Sequence, residues 1–140
     1  MSPAIFNLYM DELSEKLMRT GVGCSMNGIM TNHISYADDM VLLAPSISAM
    51  RKLLAVCEKY AEDHNMKYNV EKSVYMTFKT TNSDNNLPPL VLYNSAIERV
   101  EEVKYLGHMI TSDLLDNADI QRQRRAIAVR GNMLARRFSR

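Results

Sequence analysis

The chain has 140 residues, 46% hydrophobic and 24% charged, with a formal net charge of +1. That balance excludes a disordered polar chain, and no apolar run approaches the roughly 20 residues of a membrane span. With only two cysteines and three scattered histidines, it is neither a disulfide scaffold nor a zinc cluster.

The first helix signal is Ser2-Pro3, a capping hydroxyl followed by proline at the first helical position. Ile5, Phe6, Tyr9, Met10, Leu13 and Leu17 recur at spacings of three and four, which predicts an amphipathic helix to about Arg19, ended by Gly21 and Gly23. Asp11, Glu12 and Glu15 stand where a secretory leader would need an apolar core. No export signal is read, so Cys24 and Cys57 are expected as reduced thiols with no disulfide partner. Asn27-Gly28 predicts a two-residue hairpin turn between arms at 22–26 and 29–33.

Residues 34–44 are apolar on both sides of Asp38-Asp39, so the aspartates read as the tip of a second hairpin. Pro45-Ser46 then opens a helix whose apolar face is Ile47, Met50, Leu53, Leu54, Cys57, Tyr60 and Ala61, running to about His64. Cys57 on that face reads as a small buried hydrophobe. Residues 68–70 and 74–78 read as strand segments around Lys72-Ser73, and 80–89 as a polar loop. A further hairpin is expected from 90–93, a turn at Asn94-Ser95, and 103–110. Asp116-Asn117 caps a last helix with Ile120, Ile127, Met133, Leu134 and Phe138 as partial apolar contacts. The order α-ββ-α-β-ββ-α is an α+β arrangement.

Charge is uneven along this order. Residues 121–140 hold seven arginines, Arg122, Arg124, Arg125, Arg130, Arg136, Arg137 and Arg140, and no acid; the first 120 residues carry a net charge of −6. A basic helix behind a mildly acidic body suggests a polyanion partner; its bland alternative is a solvated arginine-rich face.

Asp38-Asp39 is the feature that points to chemistry. Adjacent carboxylates repel each other, strands disfavour Asp, and a divalent cation with oxygen ligands is the simplest account. Successive strand residues point to opposite faces, so a turn is needed for both carboxylates to serve one place.

Tyr36-Ala37-Asp38-Asp39 resembles the Tyr-x-Asp-Asp box of reverse transcriptases, in the Ala-containing form usual in non-LTR retroelements and group II intron enzymes. The residues from Ser2 through Leu13 resemble the later part of that family's template- and nucleotide-contacting motif. Asn69-Val70-Glu71-Lys72-Ser73 is similar to its Asn-x-x-Lys-Thr/Ser box, and Val103-Lys104-Tyr105-Leu106-Gly107 to its primer-grip hairpin. The four blocks stand in family order across most of residues 1–110.

The resemblance implies an RNA-directed DNA polymerase that adds deoxynucleotides by two-metal nucleotidyl transfer, with Mg²⁺ as cofactor and RNA template, DNA primer and dNTP as partners. It implies a partial polymerase palm over 1–115, an antiparallel sheet with the catalytic hairpin packed on two helices. The primer-grip hairpin follows, and a basic helix over 116–140 begins the thumb. Asp38 and Asp39 would be the catalytic metal ligands. Tyr36, Ala37, Lys72, Tyr105, Leu106 and Gly107 would contact nucleotide or primer. Arg122, Arg124, Arg125 and Arg130 would face the nucleic-acid backbone. The family also uses a third carboxylate and fingers that precede these blocks, and neither is found here. The chain is therefore expected to be inactive in isolation. A catalytically dead nucleic-acid-binding remnant, or a relic without function, is the alternative. The missing leader and span leave cytoplasm and nucleus as the expected compartments.

Overall fold

The computed structural model describes residues 3–78 and 87–138, with the side chains of residues 3–9 and of Met26 outside the description. The Ser2 cap, Arg140 and most of the polar loop expected at 80–89 lie outside the described residues. Three α-helices and five two-stranded sheets form among the described residues. They divide into two compact units, residues 1–73 with 86–98, and 74–85 with 99–140.

In the first unit, helix α1 (Pro3–Arg19) ends as its periodicity predicts, with Gly21 in the left-handed region at φ 66° beyond its last turn. Helix α2 (Ile47–Asp63) begins at Ser46, whose hydroxyl accepts the Ala49 N–H at 3.2 Å. The apolar faces of these helices meet. Leu13 and Leu17 of α1 and Leu53, Cys57 and Tyr60 of α2 form one fully buried cluster. Each leucine there contributes about 1.5–3 kcal/mol by burial. Burial pushes the Cys57 thiol up to about 12, so it stays a protonated, inert hydrophobe.

Strands β1 (Cys24–Met26) and β2 (Ile29–Thr31) form the first hairpin, with Asn27 at φ 52° and Gly28 at φ 80° in its turn. Strands β3 (His33–Tyr36) and β4 (Asp39–Leu42) form the second, and Met40 and Leu42 pack on the helix cluster. Strands β6 (Val91–Leu92) and β7 (Ser95–Ala96) make a third hairpin, turning at Tyr93-Asn94 with φ 50° and 60°. It is held by the Tyr93 N–H on the Glu58 carboxylate and by the Tyr68 N–H on the Tyr93 hydroxyl at 3.3 Å.

In the second unit, strands β9 (Glu102–Tyr105) and β10 (His108–Thr111) pair antiparallel, and helix α3 (Asn117–Phe138) follows. Strand β5 (Val74–Tyr75) pairs with β8 (Glu98–Arg99), and the Val100 N–H continues that pairing to the Tyr75 carbonyl at 2.9 Å.

Two expectations are corrected. Residues 68–70 are not a strand: Val70–Lys72 is a single 3₁₀ turn, because Asn69 caps it. The segments 90–93 and 103–110 do not pair with each other; each closes its own short hairpin at a two-residue turn.

Candidate active site

The β3–β4 ladder has four rungs, His33↔Leu42, Ile34↔Val41, Ser35↔Met40 and Tyr36↔Asp39. Its turn is therefore Ala37-Asp38, and Asp39 is the first residue of the returning strand. Residues directly opposite share a face. Met40 and Leu42 point to the core, so Ile34, Tyr36, Val41 and Asp39 share the other face. That face is open: Tyr36 is 65% exposed and Ile34 49%. Asp38 and Asp39 are exposed, and among the described residues neither carboxylate has a hydrogen bond or ion pair. Ala37 takes φ 52°, a left-handed conformation that costs a non-glycine residue roughly 1–2 kcal/mol.

In the same unit, the Asn69 side chain accepts the Lys72 N–H at 3.1 Å, and the Ser73 hydroxyl donates to the Asn69 carbonyl at 2.8 Å. This gives the Asn-x-x-Lys-Ser spacing a physical reason. Asn caps the turn, Ser closes it, and Lys72 is displayed to solvent. No hydrogen bond or ion pair joins Lys72 to Asp38 or Asp39 among the described residues.

In the second unit, Tyr105 pairs with His108, so Leu106 and Gly107 are the turn, at φ 46° and 87°. Positive φ at both positions favours Asn-Gly, and leucine is a poor fit to the first. The start of α3 holds this turn. Asp119 Oδ1 accepts the Met109 N–H at 3.0 Å and the Arg122 Nε and Nη2 groups at 2.9 and 2.7 Å. Arg122 Nη2 also donates to the Gly107 carbonyl, and His108 Nδ1 lies 3.5 Å from Asp119 Oδ2. The Met109 N–H and then the Arg122 guanidinium hold the Asp119 carboxyl down at about 2. The Tyr105 hydroxyl is buried without a hydrogen-bond partner among the described residues. A cleft of about 440 Å³ beside this clamp is floored by Met109, Ile110, Leu114, Leu115 and Ile120 and contains none of the predicted site residues.

The family described as reverse transcriptase (RNA-dependent DNA polymerase) matches residues 1–110. The chain belongs to the reverse transcriptase family. No curated protein matches it. Reverse transcriptases are RNA-directed DNA polymerases, so the family's substrates include nucleic acid. The match takes in both motif hairpins and the Lys72 turn, and stops before α3.

The reverse transcriptase chain brings Tyr36, Ala37, Asp38 and Asp39 together on one hairpin, and Tyr105, Leu106 and Gly107 on another. Among the described residues no group of three His, Cys, Asp or Glu side chains could hold a metal ion. No helix there is long and apolar enough to cross a membrane, and Cys24 and Cys57 are free thiols. Arg124, Arg125 and Arg130 are exposed on α3, whereas Arg122 is engaged in the clamp. Asp119 escaped sequence reasoning, although an acid and an arginine three apart in a first helical turn signal a local pair. Asn32, the only fully buried amide of this unit among the described residues, was also missed; its signal is a polar residue between two strand-forming runs.

Proposed function

We propose that this chain is the later palm and first thumb segment of a non-LTR retroelement reverse transcriptase, adding deoxynucleotides to a primer by two-metal nucleotidyl transfer. The observation that carries this reading is the β3–β4 hairpin. It sets two adjacent, unpartnered carboxylates at a strained tip, with Tyr36 opposite Asp39 on an open face. Residues held in sparsely populated conformations cluster at functional sites.

Asp38 and Asp39 are oxygen donors, which suit Mg²⁺. They would hold it with a third carboxylate from an upstream strand. When bound, the metal ions activate the primer 3′-hydroxyl and neutralise the leaving pyrophosphate. The chain's own residues do the rest. Ala37 bends the strand so that Asp38 leaves the pleat beside Asp39. Tyr36 offers a ring on the same face as Asp39 for the nucleotide or the primer end. Lys72 brings a point positive charge for phosphate. Leu106-Gly107 forms the primer-grip turn, and Arg122 fixes that turn from α3. Arg124, Arg125 and Arg130 face phosphates without reading sequence. Residues 1–115 act as palm and 116–140 as the start of the thumb, and the working compartments are cytoplasm and nucleus.

A second reading has one observation in its favour. Among the described residues no third His, Cys, Asp or Glu joins Asp38 and Asp39, while α3 displays free arginines. A nucleic-acid-binding remnant without catalysis would use that helix alone. Homopolymer-templated primer extension with Mg²⁺ separates the two. We expect no extension by the 140-residue chain, extension by a version lengthened upstream, and its loss with Asp38→Asn. Robust extension by the short chain would overturn the three-carboxylate reading. Salt-sensitive binding without extension in either version would favour the remnant.

A further inference from the structure

The side chain of Asn32 is fully buried at the root of the catalytic hairpin, one residue before β3. Its amide nitrogen donates to the Leu17 carbonyl at 2.7 Å and to the Val22 carbonyl at 2.9 Å. The Leu17 carbonyl belongs to the last turn of α1, where it carries partial negative charge and also accepts the Thr20 N–H at 3.1 Å and the Thr20 hydroxyl at 2.6 Å. With both amide hydrogens so placed, the oxygen faces His33, and His33 Nδ1 donates to it at 2.8 Å. The proton on His33 is thereby assigned to Nδ1. The Asn32 main-chain carbonyl accepts the Leu43 N–H at 2.8 Å, one residue beyond β4. One residue thus joins the end of α1, the loop after it, and both legs of the hairpin.

A second observation concerns space. A Cβ on Gly23 would lie 2.9 Å from the Asn32 Cβ and 2.9 Å from the Thr31 carbonyl oxygen. Glycine at 23 leaves room for this amide.

We infer that Asn32 is a positioning residue of the polymerase site, fixing the pitch of the β3–β4 hairpin against α1 so that Asp38 and Asp39 meet their substrates in register. This rests on the polymerase reading above. The argument is one of leverage. From His33 to the tip the hairpin extends roughly 15 Å at the strand rise, so a swing of about ten degrees at the root moves the carboxylates roughly 2.5 Å. Catalytic groups must be held within about 0.5 Å, and a misplacement of about 1 Å can cost on the order of 100-fold in rate. The Asp38 and Asp39 side chains have no partner among the described residues; Met40 and Leu42 seat one face of the hairpin on the helix cluster, and Asn32 sets its pitch at the root.

Three variants test this: Asn32→Asp, Asn32→Ala and Gly23→Ala. Asn32→Asp keeps the shape and the acceptor for His33 but sets a carboxylate against two carbonyl oxygens. The readouts are residual dipolar couplings and hydrogen exchange of backbone amides. At pH 7, Asn32→Asp is expected to shift the couplings of residues 34–41 while those of α1 and α2 stay as in wild type. Leu43 amide exchange should rise at least about tenfold. Lowering the pH should partly restore both as the introduced carboxyl gains a proton that it can donate to Leu17; Asn32→Ala, which has no carboxyl there, should show no such restoration. Gly23→Ala should move the hairpin couplings with the amide chemistry intact. Wild-type couplings and Leu43 protection in the folded variants would overturn the inference. So would global unfolding in all three, which would make Asn32 an ordinary core residue. In the extension assay on the version that extends primers, Asn32→Asp should lower kcat at least about tenfold with the nucleotide KM little changed. If wild type fails to extend while the couplings behave as expected, the polymerase reading fails and the anchoring of the hairpin stands.

Discussion

The two motif hairpins are built alike and held differently. Tyr36-Ala37-Asp38-Asp39 and Tyr105-Leu106-Gly107-His108 both place a tyrosine before a two-residue turn whose first residue is a non-glycine at positive φ. Asn27-Gly28 makes a comparable turn with residues suited to it. At Leu106 the strain is held locally, by Asp119 and Arg122 gripping the Gly107 carbonyl and the Met109 N–H. At Ala37 no described hydrogen bond grips the tip, and side-chain support comes from Asn32 at the root and from Met40 and Leu42 packed on the helix cluster. On the proposed reading the first tip receives a cation and a substrate, which unpartnered carboxylates suit, whereas the second turn meets the primer with a backbone whose shape the clamp keeps.

The largest expected effect comes from the open tip. In the version lengthened upstream, Asp38→Asn should reduce primer extension by at least about 100-fold, since removing a metal ligand costs several kcal/mol of charge stabilisation and about 1.4 kcal/mol is a tenfold change. Circular dichroism should be unchanged, because the carboxylate supports no described contact. If extension survives within a few-fold, the tip is not the metal site.

The clamp should show itself in acid. The Asp119 carboxyl is held at about 2, below the ordinary value of about 3.9. Its stabilisation is therefore fully present above about pH 4 and is lost as pH falls towards 2. Exchange of the Met109 amide should rise across that window in wild type. The rise should be smaller in Asp119→Asn, which has no carboxylate to protonate. An identical pH profile in the two proteins would remove the clamp from the account.

The turn residues themselves should give smaller changes. Gly107 sits at φ 87° with open space around its Cα, so Gly107→Ala should destabilise the second hairpin by roughly 1 kcal/mol through backbone strain alone. Leu106→Asn should stabilise it by about 0.5–1 kcal/mol, because Asn tolerates the left-handed region better. Both are read by urea-dependent amide exchange at Tyr105 and His108. Ala37→Gly should be close to neutral, within about 0.5 kcal/mol, since relief of strain offsets the extra freedom of the unfolded chain. A large gain there would mean that the tip is more strained than its φ implies.

Much of this was legible in the sequence. The apolar periodicity of α1 and α2, the Ser46 cap and the Asn27-Gly28 turn are local signals, and local physics decides them. The Asp38-Asp39 hairpin was visible from its apolar flanks, although the turn falls at Ala37-Asp38, because strand pairing sets Asp39 opposite Tyr36. Residues 68–70 read as strand because an aromatic and a β-branched residue there mimic one, whereas a side-chain cap on Asn69 makes Val70–Lys72 a 3₁₀ turn. The clamp and the Asn32 anchor were legible only in part. The Asp119–Arg122 spacing and a polar residue between two strand runs are local signals, but the contacts of Asp119 with Met109 and of Asn32 with Leu17 join residues ten or more apart, and spacing carries no trace of those.

The proposed function makes the first tip a cation site and the second tip none. A Mn²⁺ titration of the 140-residue chain, read as paramagnetic broadening of backbone amides, tests it directly. The account predicts broadening that begins at residues 37–40, on the order of millimolar as suits two carboxylates, is lost in Asp38→Asn, and spares 105–108 at the same concentration. Broadening that starts at the second hairpin, or that Asp38→Asn leaves unchanged, would contradict it.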